Sequence, residues 1–376
     1  MRRVSFTRSS LCAFALVLVA ASGVGVATAQ ASSPRTSSAS EFDAPSGLAF
    51  GGGHLWVTNE AGNSVTEIDP STGDWLGTFA RSASYRFNRP TAITGSGANL
   101  FIANAGNSVS EIRASNGAAV RTVSGATFHF ADPTAIGAAG NTILVLNAGR
   151  PNASGSITEI NATTGKLRRV VAGSSFAFRK PAALAVAGPD VFVADEGDNS
   201  VTEVDIATGR LVRVVALQGL DAPDGIAVED GQVWVADSAS NAATDISEAS
   251  GAVITTVGDS DGQYGFGDPA TVIGAGGSVY IATPYGASPM VTNVTATTGA
   301  ANWFMCNTNG PYYFSLLSAF AVSGDDLWVA SRSGANSQTP GAATGSLTEM
   351  NTVSGALIAT FPAPPASSST TTTTTS

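Results

Sequence analysis

The 376-residue sequence predicts an all-β fold, a seven-bladed β-propeller of four-stranded antiparallel blades, and three observations predict it. The first is a repeated opening, an aromatic or Leu followed three residues later by Pro: Phe42 with Pro45, Phe87 with Pro90, Phe130 with Pro133, Phe178 with Pro181, Leu220 with Pro223, Phe266 with Pro269, and Phe314, where Leu317 replaces the Pro. The second is a run of β-branched and aromatic residues about ten positions later, of which Leu55-Trp56-Val57 and Val233-Trp234-Val235 are examples. The third is a small polar residue followed by Gly, from Thr72-Gly73 to Ser354-Gly355, once in every copy. The openings lie 42 to 48 residues apart. A period of that length built from short strands means a supersecondary unit repeated radially.

Taken in order, the chain opens on a segment that reads as an export signal over residues 1–29. Arg2, Arg3 and Arg8 form a basic n-region, Leu11 to Ala21 an apolar core, and Ala27-Thr28-Ala29 a small-residue cleavage site. Residues 30–41 and 362–376 are rich in Ser, Thr, Pro and Ala, a composition that buries too little apolar surface to order itself. The propeller is expected over 42–361, with blades starting near 42, 87, 130, 178, 220, 266 and 314. The expected location is therefore extracellular or cell-wall associated, with no membrane span once the signal is removed.

Cleavage after Ala29 removes three of the 18 basic residues and none of the 28 acidic ones, leaving a formal charge of −13. Such a surface disfavours nucleic acid and anionic lipid, whose phosphates need clustered Lys and Arg. Only Cys306 follows the signal, so no intramolecular disulfide forms in the mature chain. A monomer binding a protein, a glycan or a small molecule is the expectation.

Within a blade, the first strand follows the Pro and carries small residues beside an aliphatic, as in Ser46-Gly47-Leu48 and Asp224-Gly225-Ile226. That suits the crowded innermost position. The second strand lacks polar alternation and is expected to be buried on both faces, its tryptophans serving as core. The third carries a mid-strand acid: Glu67, Glu111, Glu159, Glu203, Asp245 and Glu349, with Asn293 in copy six. Arg121, Arg169 and Arg213 recur on the fourth strand, which suggests cross-strand charge pairs on a solvated outer edge. The Gly between strands three and four supplies a positive φ for a tight turn.

The stretches LWVTNEAGNSVTEID (55–69), LFIANAGNSVSEI (100–112) and VFVADEGDNSVTEVD (191–205) resemble the NHL and YVTN β-propeller repeats. That resemblance covers residues 42–361 and implies a propeller whose second-strand exits and inter-blade loops gather on one face around a channel. The exits here are Asn59, Asn104, Asn147, Asp195, Asp237, Thr283 and Ser331, with Glu60, Glu196 and Arg332 beside them and Tyr285 where copy six breaks the pattern. Two readings fit. As a channel-mouth site, these groups would bind a ligand, and Asp195 and Asp237 would be the candidates for a hard cation such as Ca²⁺ or Mg²⁺. As local structure, each would cap its own turn.

The expected role is a non-catalytic binding module with no required cofactor. The alternative, implied by a more distant resemblance to streptogramin lyase-like propellers through Leu55-Trp56 and Leu327-Trp328, or to gluconolactonase-like ones, is a divalent-metal-dependent lyase or lactonase. The chain offers that chemistry only His54 and His129 as histidines. The aromatic stretch 302–314, with Trp303, Tyr312 and Tyr313, is expected either to present a contact surface or to seal the junction of the last two blades.

Overall fold

The computed structural model describes residues 42–149, 154–216, 220–258, 264–284, 289–306, 312, 314–332 and 345–361. The export signal, the 30–41 segment and the 362–376 tail lie outside them. Twenty-eight strands form seven four-stranded sheets, each made of four consecutive strands in simple order. Blade 1 is β1 (Pro45–Gly51), β2 (His54–Asn59), β3 (Ser64–Ile68) and β4 (Trp75–Ala80), and blade 7 is β25 (Leu317–Ser323) to β28 (Leu357–Phe361). All pairs are antiparallel, with a bulge after the Pro of the first strand in blades 1 to 5. A Pro tolerates that place because it cannot donate to a ladder. The fold is an all-β seven-bladed propeller.

The second strands are buried on both faces, and Trp56, Trp234 and Trp328 are core residues at 0–1 % exposure. One apolar cluster lies at each seam between blades; for example, Phe87, Ile93 and Leu100 of blade 2 pack on Trp56 and Val65 of blade 1. The first strands stand side by side around the channel. The opening aromatic is fully or nearly buried and stacks on a second aromatic two residues earlier. Those pairs are Tyr85–Phe87, Phe128–Phe130, Phe176–Phe178, Tyr264–Phe266 and Tyr312–Phe314, with centroids 5.3–5.6 Å apart. The carbonyl of that earlier aromatic accepts the third-strand hydroxyl of the blade it leads into: Ser110 to Tyr85, Thr158 to Phe128, Thr202 to Phe176, Thr292 to Tyr264 and Thr348 to Tyr312, at 2.7–3.1 Å. A repeated Thr thus fixes the linker, whose backbone would otherwise be left unpaired beside the core.

Three further contacts join neighbouring blades. On the channel side, Ser46, Thr91 and Ser318 donate to the carbonyls of Pro90, Pro133 and Pro45, each in the next blade, at 2.7–2.9 Å. On the face of the second-strand exits, Asn63, Asn107, Asn199 and Asn241 accept the backbone N–H of Arg89, Asp132, Ala222 and Asp268 of the next blade at 2.7–3.1 Å. On the outside, the turn Gly of each blade receives a fourth-strand side chain of the preceding one. A Cβ on Gly117 would meet Phe79 at 2.1 Å, and one on Gly209 would meet Arg169 at 2.6 Å. The ring closes by the same device, because Gly73 of blade 1 receives Phe361 of blade 7. Among the described residues no strand is exchanged between the first and last blades; Gly345 N–H donates to Phe42 O at 2.6 Å across that seam.

The charge pairs do not sit on a solvated edge. Glu111, Glu159 and Glu203 are 1, 1 and 4 % exposed, each directly opposite its Arg in register. The fourth strand and the next blade cover the third strand, which is an interior element of the sheet stack. Arg121, Arg169 and Arg213 lie over these carboxylates and continue to turn carbonyls of the next blade, at Thr163, Ala207 and Ala249. Burial pushes the Glu111 and Glu159 carboxyls above their ordinary range despite the facing guanidinium. Removing one partner of such a pair leaves a buried charge, so Arg169→Ala is expected to cost roughly 1–3 kcal/mol in urea unfolding, against well under that for an exposed pair.

The turn glycines supply a second test. Gly209 (φ +68°) and Gly188 (φ +51°) both need a positive φ, but a Cβ at Gly188 meets nothing within 4 Å. Gly209→Ala is expected to destabilise by about 2–4 kcal/mol and Gly188→Ala by about 1 kcal/mol. Equal losses in urea titrations would show that the receiving space is not what the turn Gly provides.

Candidate functional site

The second-strand exits are placed by the hairpin geometry at the inner end of each blade, but they do not form an open ring. Asn59, Asn104, Asn147, Asp195, Asp237, Thr283 and Ser331 are all 0–2 % exposed, and none lines the channel cavity. Asn104 accepts the Asn88 N–H at 3.1 Å and donates to the Ser110 hydroxyl at 3.2 Å. Asn147 repeats this with the Ala131 N–H and Thr158 at 3.2 and 3.1 Å. Asn59 donates to Thr66 at 3.0 Å, and Asp195 accepts the backbone N–H of Asp198 at 2.9 Å and that of Lys180 at 3.3 Å. Asn59, Asn104, Asn147, Asp195 and Asp237 bond within their own blades, as in the second of the two readings, Ser331 accepts the Ser315 N–H at 3.3 Å, and the buried Thr283 hydroxyl has no partner.

Burial raises the two acids of this set. The Asp195 carboxyl is pushed up to about 6, desolvation outweighing its backbone donors, and that of Asp237 to about 7, with only the Thr244 hydroxyl at 2.9 Å holding one oxygen. The second Asp237 oxygen is buried without a partner. Among the described residues, no group of three His, Cys, Asp or Glu converges as a metal ligand set, so Asp195 and Asp237 stand apart in their own blades.

What does surround the channel is different. The cavity, about 300 Å³, is lined chiefly by first-strand residues: apolar side chains, the hydroxyl-bearing Ser46, Thr91, Thr134, Thr271 and Ser318, and one carboxylate, Asp224. In the ring of residues after the Pro, Asp224 stands where other blades have Ser, Thr or Ala. Burial pushes its carboxyl up, with Ser238 opposing as a donor and Glu196 and Asp268 adding to the rise. Sequence reading overlooked it; its signal was a single charge among seven otherwise uncharged equivalents.

At the rim, charges pair across seams. Glu60 accepts Arg89 of blade 2 at 2.8 Å and pairs with Arg332 of blade 7, so one carboxylate spans three blades. Lys180 pairs with Glu196 in blade 4. These side chains range from 15 % exposed for Glu60 to 62 % for Arg89 and Lys180, and burial draws the Arg332 guanidinium below its ordinary value. Tyr285 lies outside the described residues.

The two histidines are elsewhere. His54 begins β2, at the end opposite the mouth, with Nδ1 bonded to Glu67. His129 sits between blades 2 and 3 beside a separate cavity of about 430 Å³, lined also by Asn107 and Phe130.

A scan of protein-family models finds none that matches, and no curated protein matches the chain. Solved structures do. Hydrazine synthase of Kuenenia stuttgartiensis is similar over 83 % of this chain and 96 % of its own, at 17 % identity and a TM-score of 0.65. Virginiamycin B lyase of Staphylococcus aureus is similar over 77 and 92 %, at 13 % identity and 0.61. The computationally designed protein Ika8 is similar over 88 and 91 %, at 17 % identity and 0.61. The chain is thus a propeller repeat protein with streptogramin lyase among its structural neighbours, a likeness of fold.

A pH experiment checks the capping role of Asp237. A carboxyl raised from the ordinary aspartate value of 3.8 to about 7 keeps its proton in the folded state while the unfolded chain ionises. Its contribution is full below about pH 4, is lost as pH rises from about 4 to 7, and is flat above. Asp237→Asn restores the residue found in blades 1 to 3 and removes this loss. The variant is expected to be more stable than the parent by roughly 1–4 kcal/mol at about pH 8 and nearly equal to it at about pH 4, measured by urea unfolding.

Proposed function

We propose that this chain is an exported, non-catalytic binding module that takes its ligand at the channel mouth. One observation carries the reading. The polar groups at that face are buried, and Asn59, Asn104, Asn147, Asp195 and Asp237 each bond within their own blade. The charges left at the rim, Glu60, Arg89, Arg332, Lys180 and Glu196, form partly exposed pairs that an incoming partner can exchange for its own. Exchangeable charges around a channel lined by hydroxyls and small apolar side chains suit recognition, where electrostatic complementarity sets partner choice and on-rate. Asp224 gives the channel wall its one carboxylate, an acceptor for a donor group of the ligand. A lyase-like reaction needs a His beside an acid at the channel, and His54 and His129 stand at the opposite face and at a seam.

The test has two arms. Titrating Ca²⁺ and Mg²⁺ into the metal-stripped mature chain is expected to give no saturable heat. Glycan arrays and extracellular proteins screened on immobilised protein are expected to yield a ligand whose affinity falls with salt. It is also expected to fall about 3- to 30-fold in Glu60→Ala and Arg332→Ala. One-site metal binding together with turnover of a lactone or cyclic ester would overturn the proposal, as would a ligand indifferent to both substitutions and to Asp224→Asn.

A further inference from the structure

Between blades 6 and 7, on the face away from the channel mouth, lies a cleft of about 410 Å³, within the size range of small-molecule sites. It exists because blade 6 departs from the repeat at three positions. Where other blades carry a buried third-strand acid, blade 6 has Asn293, 1 % exposed. Where blades 2 to 4 have an Arg across from that acid, blade 6 has Trp303, which turns its indole N–H to the Thr352 carbonyl at 3.3 Å and packs on Tyr280. Where His54 or Asn99 reaches from the start of the second strand to close over the acid in blades 1 and 2, blade 6 has Ser278, too short to do so. The space those side chains fill elsewhere is open here.

The floor of the cleft holds an unused donor. Asn293 accepts Asn302 Nδ2 at 2.5 Å through Oδ1, while its Nδ2, buried, has no hydrogen-bond partner of normal geometry. The Tyr280 hydroxyl stands beside it but is directed to Thr352 O at 3.3 Å. A buried polar atom without a partner is destabilising, and a ligand atom would relieve it. The lip carries the exposed Asp325 carboxylate and Val353, which is 77 % exposed.

We propose that this cleft binds a neutral saccharide unit. A sugar ring offers oxygen acceptors for the amide of Asn293, hydroxyl donors for Asp325, and a C–H face for Val353 and Val322. An anion would be opposed by Asp325, and a cation would leave the Asn293 donor unanswered. The site is on the opposite face from the channel mouth and stands whether or not the mouth binds anything.

The experiment is a ¹H–¹⁵N titration of the mature chain with glucose, galactose and N-acetylglucosamine, following the Asn293 side-chain amide. A saturable shift of that resonance is expected with at least one sugar. Ser278→Asn, which rebuilds the blade 2 arrangement over position 293, and Val353→Arg, at the exposed lip, are each expected to weaken it about 3- to 10-fold with a melting temperature no lower than the parent's. No movement of the amide with any sugar overturns the proposal. So does binding that both variants retain at parental affinity, which would place the sugar elsewhere.

Discussion

The contact on which the ring depends is the seating of one blade's fourth strand on the next blade's turn glycine. It recurs at every seam with different partners: Phe79 on Gly117, Arg121 on Gly165, Arg169 on Gly209, Arg213 on Gly251, Val257 on Gly299, Trp303 on Gly355 and Phe361 on Gly73. The turn must have no Cβ for the neighbour to come that close, and it must take a positive φ to close the hairpin. One residue type meets both needs. The side chain that lands on it is free to vary, since flat aromatics, long basic stems and β-branched aliphatics all fill a space bounded by backbone.

That arrangement explains where repeated polar residues go. In blades 2 to 4 the third-strand acid lies under the same fourth-strand side chain, so an Arg serves the carboxylate, the turn carbonyls beyond it and the glycine at once. The Asn in the loop after the second strand bonds the neighbouring backbone, and the third-strand Thr bonds the incoming linker. Repetition therefore marks residues spent on assembly. Blade 5 shows what happens when the set is incomplete: Asp245 faces Thr255 instead of Arg, neither of its oxygens has a partner, and burial pushes it up to about 7.

Much of this was legible in the chain. The aromatic-to-Pro openings, the apolar second strands and the glycine turns locate all seven blades, because each reflects a local rule of strand burial or turn geometry. The solvated reading of Glu111 and Glu159 fails because a strand's own pattern does not reveal that a neighbouring blade will cover it. The exits at Asn104 and Asp237 look like a ring when the blades are superposed in sequence, yet the hydroxyls that claim them come from the third strand several residues later. Asp224 was hidden for the opposite reason, a departure of one charge within a strand that otherwise reads as packing. The cleft beside Asn293 needed both kinds of knowledge, which position is usually acidic and which side chains usually reach over it.

Because each sheet is made of four consecutive strands and the last seam matches the others, no strand among the described residues is shared between two blades. The termini fall at a seam that resembles its six counterparts. Moving them to any other linker would leave seven whole sheets, and duplicating or deleting one segment of the gene would change the size of the ring without splitting a unit. Such a molecule can lengthen, shorten or be re-threaded by recombination in single steps, with the radius of its central opening as the quantity that changes.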